Sequence, residues 1–141
     1  MFLTERELRD KFWENYNYSG RAIYHQFEAP MRTGSIDLLT VEKFQNNHQI
    51  NAFEFKLTDI KKVILQAQAN VQYCNKSWIV IPMEKAQLIR DRYQGILKDA
   101  KYVGVIAVED GGRWEVVYRP MFQKEIVLTQ QLLNFLMKGV V

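Results

Sequence analysis

Residues 34–57 read GSIDLLTVEKFQNNHQINAFEFKL. Gly34 to Val41 and Gln49 to Leu57 are rich in β-branched and aromatic residues and flank the polar run Gln45-Asn46-Asn47-His48, a pattern that predicts a β-hairpin. Side chains alternate along a strand, so Glu54 and Lys56 share one face while Phe53, Phe55 and Leu57 take the other, and the phenylalanine face turns into the core. A turn centred near Gln45 and Asn46 sets Asp37 opposite Glu54 or Lys56, with opposed Cβ atoms about 5 Å apart. A slip of one residue in that register would separate them. Two carboxylates this close repel unless a cation lies between them, and oxygen-only ligands suit Mg²⁺ or Mn²⁺ better than zinc. With a lysine beside them they form the minimum equipment for hydrolysing a phosphodiester. The structural alternative for the same residues is a solvent-facing aspartate and a surface ion pair within the E-x-K triplet.

The flanking sequence supplies a framework for this hairpin. Thr58 can cap a helix starting at Asp59, on which Ile60, Val63, Ile64, Ala67, Val71 and Cys74 form one apolar stripe running to about Asn75. Gln66 and Asn70 lie one turn apart at the border of that stripe, placed to aim polar groups at Glu54 and Lys56. Trp78-Ile79-Val80-Ile81 then reads as a buried strand ended by Pro82. Upstream, Thr4 to about Asn17 predicts a helix with Leu8, Phe12 and Tyr16 inward, and Arg21 to Glu28 a first strand before Pro30. Downstream, Ala86, Ile89, Tyr93 and Leu97 mark a third amphipathic helix. Tyr102 to Val108 and Arg113 to Tyr118 pair across the turn Asp110-Gly111-Gly112. Thr129 can cap a last helix carrying Leu132, Leu133, Phe135 and Leu136 to Gly139. The order is α-β-β-β-α-β followed by α, β, β and α: an α/β (α+β) chain with a central mixed β-sheet flanked by helices.

Ser35-Ile36-Asp37-Leu38-Leu39, Phe53-Glu54-Phe55-Lys56-Leu57, the helix from Asp59 through Gln66-Ala67, and Ser77 to Pro82 together resemble the PD-(D/E)xK nuclease superfamily, which has the restriction-endonuclease-like fold. The resemblance covers residues 1–82 well and the remainder loosely. It implies that Asp37, Glu54 and the carbonyl of Phe55 bind Mg²⁺, with Mn²⁺ able to substitute, that Lys56 orients or activates the attacking water, and that Gln66 stands near the site. It also implies an acidic residue on the first helix, for which Glu5, Glu7 and Glu14 are available. Glu7 is the choice made here, although Thr4-x-x-Glu7 is also a capping box that would give it a structural task. The chain departs from the pattern in having Ile36 before the aspartate instead of proline, and Asn70 where a Q-x-x-x-Y subgroup places tyrosine. The implied activity is a metal-dependent DNA endo- or exonuclease. The alternative is a catalytically inactive nuclease-fold module for DNA binding or assembly.

Composition is consistent with that reading without demanding it. The 141 residues, 48% of them apolar, suffice for one domain spanning 1–141, and no Pro, Gly or Ser cluster marks a linker. The net charge of +3, from 19 basic and 16 acidic residues, permits nucleic-acid binding. Arg32, Lys61, Lys62 and Lys76 are the candidate phosphate contacts, being on the loop before Asp37 or on and after the following helix. A minimal domain would draw specificity from a homodimer or a partner protein. His25 and His48 are too isolated for a zinc site. Cys74 reads as a buried small hydrophobe in a reducing compartment. The start Met-Phe-Leu-Thr-Glu-Arg-Glu lacks signal-peptide character and no apolar run is long enough to span a membrane, so the expectation is a cytoplasmic protein.

Overall fold

The computed structural model describes residues 1–32 and 34–126, residue 44 by its backbone alone. The helix expected after Thr129 lies outside the described residues.

The first helix, α1 (Glu5–Tyr16), starts where the capping signal places it. Thr4 Oγ1 accepts the Glu7 N–H at 3.1 Å, and the Glu7 carboxylate reaches back to accept the Leu3 N–H at 2.8 Å. Leu8, Phe12 and Tyr16, one turn apart, are buried, and each such side chain contributes roughly 1.5–3 kcal/mol of transfer free energy. At the far end Asn17 Oδ1 accepts the Ala22 N–H at 2.8 Å, which fixes the step into the sheet.

Six strands follow: β1 (Ala22–Ala29), β2 (Ile36–Phe44), β3 (Asn47–Phe55), β4 (Lys76–Pro82), β5 (Val103–Val108) and β6 (Trp114–Tyr118). They form one mixed sheet in the order β1-β2-β3-β4-β5-β6. The first three run antiparallel, β3, β4 and β5 run parallel, and β6 returns antiparallel to β5. Hairpins suffice for the antiparallel steps, but each parallel step needs a crossover. The first crossover is α2 (Ile60–Asn70). The second is the helical segment 83–99, in which α3 (Ala86–Leu88) and α4 (Gln94–Asp99) are joined by a π-helical turn, Ile89–Tyr93.

Both crossovers cover the same face of the sheet. Ile60, Val63, Ile64 and Ala67 of α2 and Ala86, Ile89 and Leu97 of the second crossover pack on Ile79, Ile81, Val103, Val105 and Ala107. The opposite face receives α1, whose Leu8, Phe12 and Tyr16 meet Leu38, Phe53, Phe55, Trp78, Val80 and Ile106. The sheet is thus buried between helical layers, and from Ser77 to Pro82 every residue of β4 is buried, as expected for a parallel strand covered on both faces.

The hairpin between β2 and β3 has Gln45 and Asn46 at its tip, with Gln45 in the left-handed region at φ 57°. Its register pairs Leu38 with Phe53 and continues to Phe44 with Asn47. Small shifts separate the remaining elements from expectation. The first strand lies one residue later, at Ala22–Ala29. Asp59 caps α2 in place of Thr58, its carboxylate accepting the Lys62 N–H at 3.1 Å. The α-helix ends at Asn70, a 3₁₀ turn at Val71–Tyr73 completes the segment, and Cys74 is buried with its thiol donating to the Asn70 carbonyl. No helix among the described residues is long and apolar enough to cross a membrane.

One close approach fixes the spacing of β4 and β5. Gly104 pairs with Trp78, and a Cβ at Gly104 would lie 2.8 Å from the indole and 2.5 Å from the Pro120 ring. Gly104→Ala must therefore displace both rings, at a cost of about 1–3 kcal/mol in unfolding free energy. Chemical denaturation followed by tryptophan fluorescence measures this directly; an unchanged midpoint would contradict the packing of Trp78 over Gly104.

Candidate functional site

Continuing the β2–β3 register by one pair brings Asp37 opposite Glu54, on the face covered by α2, while Phe53 and Phe55 point to α1. The two acids are linked through main chain as well as proximity. Asp37 Oδ2 accepts the Phe55 N–H at 2.9 Å, and Glu54 Oε2 accepts the Asp37 N–H at 3.3 Å. Each side chain thereby closes the hydrogen bonding of the sheet rim, and a register slip would break both bonds.

Glu54 is only 1% exposed, so its carboxylate needs internal donors. The Asn70 amide at the end of α2 donates to Oε2 at 2.8 Å, and the Arg32 guanidinium donates to the same oxygen at 3.2 Å. Arg32 Nε also donates to Asn70 Oδ1 at 2.6 Å, so the loop before β2, the end of α2 and the rim of β3 close into one triangle. Lys56 continues the chain one step past β3. Its ammonium lies 3.6 Å from Glu5 of α1, and its main-chain N–H donates to Val80 of β4.

The electrostatics are those of a crowded acidic rim. Burial, and next the charge of Asp37, push the Glu54 carboxyl up to about 7, against the opposing effects of Asn70 and Arg32. Asp37 is also raised, first by burial and further by the charges of Glu28 and Glu5, against the favourable Phe55 N–H. Asp37, Glu28, Glu5 and Phe55 line a cleft of about 340 Å³ together with Arg6 and Arg9 of α1. A buried and a part-buried carboxyl that resist joint ionisation fit a hard divalent cation, which would favour the charged form of both. Among the described residues no three His, Cys, Asp or Glu side chains form a fuller ligand cage. A two-carboxylate set suits Mg²⁺, which keeps several waters and takes its remaining ligands from substrate phosphates.

Asp37 and Glu54 thus meet at one rim, and Lys56 stands just past the end of β3, paired with Glu5, which lines the cleft with Asp37. Phe55 contributes an N–H to the rim through Asp37. Some of the other expected positions, Glu7, Arg32 and Lys76, need correction. Glu7 is held by the Leu3 N–H in the α1 cap, so Glu5 is the first-helix acid at the site, and Glu14 is exposed beside Lys11. Asn70, one turn beyond the half-buried Gln66, supplies the α2 hydrogen bond to Glu54. Arg32 is turned onto Glu54 and Asn70 instead of outward to a phosphate. Lys61 and Lys62 are exposed in the first turn of α2, which follows directly from the site. Lys76 pairs with Asn51 in the middle of β3 and lines a different cavity on the α1 face. His25 packs on Trp13, with ring centroids 4.5 Å apart, and His48 is exposed at the hairpin tip. Glu5 could have been favoured in the sequence, since the capping box already employs Glu7. Arg6, Arg9 and Glu28 carried no comparable signal.

No family model matches the chain, and no curated protein matches it. A solved structure of SPO1766, a protein of unknown function from Silicibacter pomeroyi, is similar with a TM-score of 0.66 at 15% sequence identity, over 99% of this chain and 88% of that one. At that identity the similarity is one of fold.

The raised carboxyls make stability depend on pH. Glu54 binds its proton more tightly in the folded chain than at its ordinary 4.5, so the folded state loses stability as pH rises from about 4.5 through about 7. Glu54→Gln keeps an acceptor for Arg32 and Asn70 and removes the ionisation. Unfolding free energies measured across this window in metal-free buffer should decline in the parent and run flatter in the variant; identical slopes would contradict the assignment.

Proposed function

We propose that this chain is a metal-dependent deoxyribonuclease with the restriction-endonuclease-like fold, and that Asp37, Glu54 and Lys56 are its reactive centre. The observation that supports the reading is a buried and a part-buried carboxyl, both raised by burial, paired at the open edge of the sheet, with Lys56 held by Glu5 of the adjoining cleft. Asp37 and Glu54 would hold Mg²⁺, or Mn²⁺ in its place, and the bound ion would polarise the phosphoryl group and acidify a water. The chain's own residues do the rest. Lys56, tethered by Glu5, presents positive charge where negative charge develops at phosphorus and orients the attacking water. Arg32 and Asn70 hold one oxygen of Glu54 and so fix the direction of the other. Arg6 and Arg9 on one wall of the cleft, with Lys61 and Lys62 nearby in sequence to Lys56, are the candidate contacts to DNA phosphates. Specificity would come from a homodimer or a partner protein.

A second reading has its own observation. The Arg32 guanidinium already supplies a positive charge to Glu54 at 3.2 Å, which favours a non-catalytic DNA-binding or assembly module in which an arginine does the neutralising. Incubating the purified chain with plasmid or single-stranded DNA and Mg²⁺ or Mn²⁺ separates the two. Nuclease action should produce cutting that Lys56→Ala or Asp37→Ala reduces about 100-fold or more. Salt-dependent DNA binding without cutting, and without Mn²⁺ binding that Asp37→Ala abolishes, favours the module. Cutting undiminished by Lys56→Ala would overturn the assignment of the centre.

A further inference from the structure

A second cavity, of about 320 Å³, lies on the α1 face near the helix's last turn and is lined by Tyr16, Glu42, Asn51, Lys76 and Trp114 among others. Glu42 and Asp37 project from opposite faces of β2 and are about 16 Å apart along the strand, so this cavity is separate from the acidic rim. Its volume is in the range of small-molecule sites, about 300–1,000 Å³.

The lining has three components. Trp78 and Trp114 supply flat apolar surface, and the Arg21 guanidinium lies over the Tyr16 and Trp114 rings, 4.8 and 5.2 Å from their centroids. Lys76 and Arg119 bring two positive charges to the same space. Burial lowers the Lys76 amine, which Glu42 opposes and Arg119 reinforces. The carboxylate in the cavity is already committed, since Glu42 is 4% exposed and accepts the Tyr16 hydroxyl at 2.8 Å and the Thr40 hydroxyl at 2.7 Å. The third component is an unmet donor and acceptor. Asn51 is 1% exposed; its Oδ1 accepts the Trp78 indole N–H at 3.3 Å, while its Nδ2 has no partner. Gln49, two residues earlier on the same face of β3, has an Oε1 without a partner. Buried amide atoms are rarely left so, and two of them side by side point to something that completes them.

We propose that this cavity binds a nucleotide, with its base against the two tryptophans, its base edge on Asn51 and Gln49, and its phosphate between Lys76 and Arg119. Each nucleobase presents an acceptor beside a donor on one edge, which matches the Asn51 Nδ2 and Gln49 Oε1 pair once the half-buried Gln49 side chain turns toward the ligand. The phosphate adds an anion beside two neighbouring cations, where the Glu42 carboxylate is already bound by the Tyr16 and Thr40 hydroxyls. The same chemistry is available from a free mononucleotide or from an unpaired nucleotide of a strand.

Titration of the full chain with dTMP, thymidine, 2-deoxyribose 5-phosphate and a short oligothymidylate, read by tryptophan fluorescence, tests this. Saturable binding of dTMP about tenfold or more tighter than of either fragment is expected, with at least a comparable loss in Arg119→Gln, an exposed position, and in Lys76→Met. Asp37→Ala should leave it unchanged, which separates this site from the proposed nuclease centre. Binding of the oligonucleotide but not of dTMP, lost in the same two variants, identifies the strand as the source. Absence of saturable binding by either probe, or binding unaffected by Arg119→Gln and Lys76→Met, would overturn the proposal.

Discussion

The buried carboxylate of Glu54 is the joint of this structure. A charge withdrawn from water is tolerated only where donors replace the lost hydration, and here they come from three separate parts of the chain: the main chain of β2 at Asp37, the end of α2 at Asn70, and the loop carrying Arg32. The same interaction therefore fixes the hairpin register, the seating of α2 and the path of the loop. It also leaves an acid beside an acid, because Asp37 is anchored by the Phe55 N–H at the same rim. Burial at the rim raises both carboxyls, and the donors that hold the rim together offset part of that rise.

The layers of the fold leave that rim uncovered. α1 and the two crossovers cover the faces of the sheet, so polar side chains are accessible at strand ends, and in sheets with parallel strands ligand sites collect at their carboxyl ends. Lys56 leaves the carboxyl end of β3 and is held there twice, by its main-chain bond to Val80 and by Glu5 reaching from α1. The acidic residues of the cleft thus come from α1, β1 and β2, and β3 adds Phe55.

Local signals in the chain were strong where geometry is local. The Thr4 cap, the Leu8-Phe12-Tyr16 stripe, the hairpin at Gln45-Asn46 and the α2 stripe follow from periodicity and turn chemistry alone, and the hairpin register was enough to bring Asp37 to Glu54. The site's supporting contacts were less legible because they cross between distant segments. Asn70 and Gln66 both border the α2 stripe, and only the seating of the helix on the sheet decides that Asn70 reaches Glu54. Arg32 looked like a surface cation until the loop before β2 folded it against a buried acid. Lys76 follows α2 closely in sequence, yet the parallel crossover carries it back to Asn51 in the middle of β3, where it lines a cavity on the other face. The α-helix and π-turn divisions of 83–99 were likewise invisible to an apolar stripe that needs only Ala86, Ile89 and Leu97 inward.

The state of the Glu54 carboxyl with and without a divalent ion tests this account most directly. Carbon-13 NMR titration of side-chain carboxyls, with Glu54 assigned by comparison with Glu54→Gln, should give a midpoint near 7 in metal-free buffer, and a midpoint below about 5 in saturating Mg²⁺, because an adjacent cation favours the ionised form. A midpoint in the ordinary glutamate range without metal, unmoved by Mg²⁺, would contradict the account.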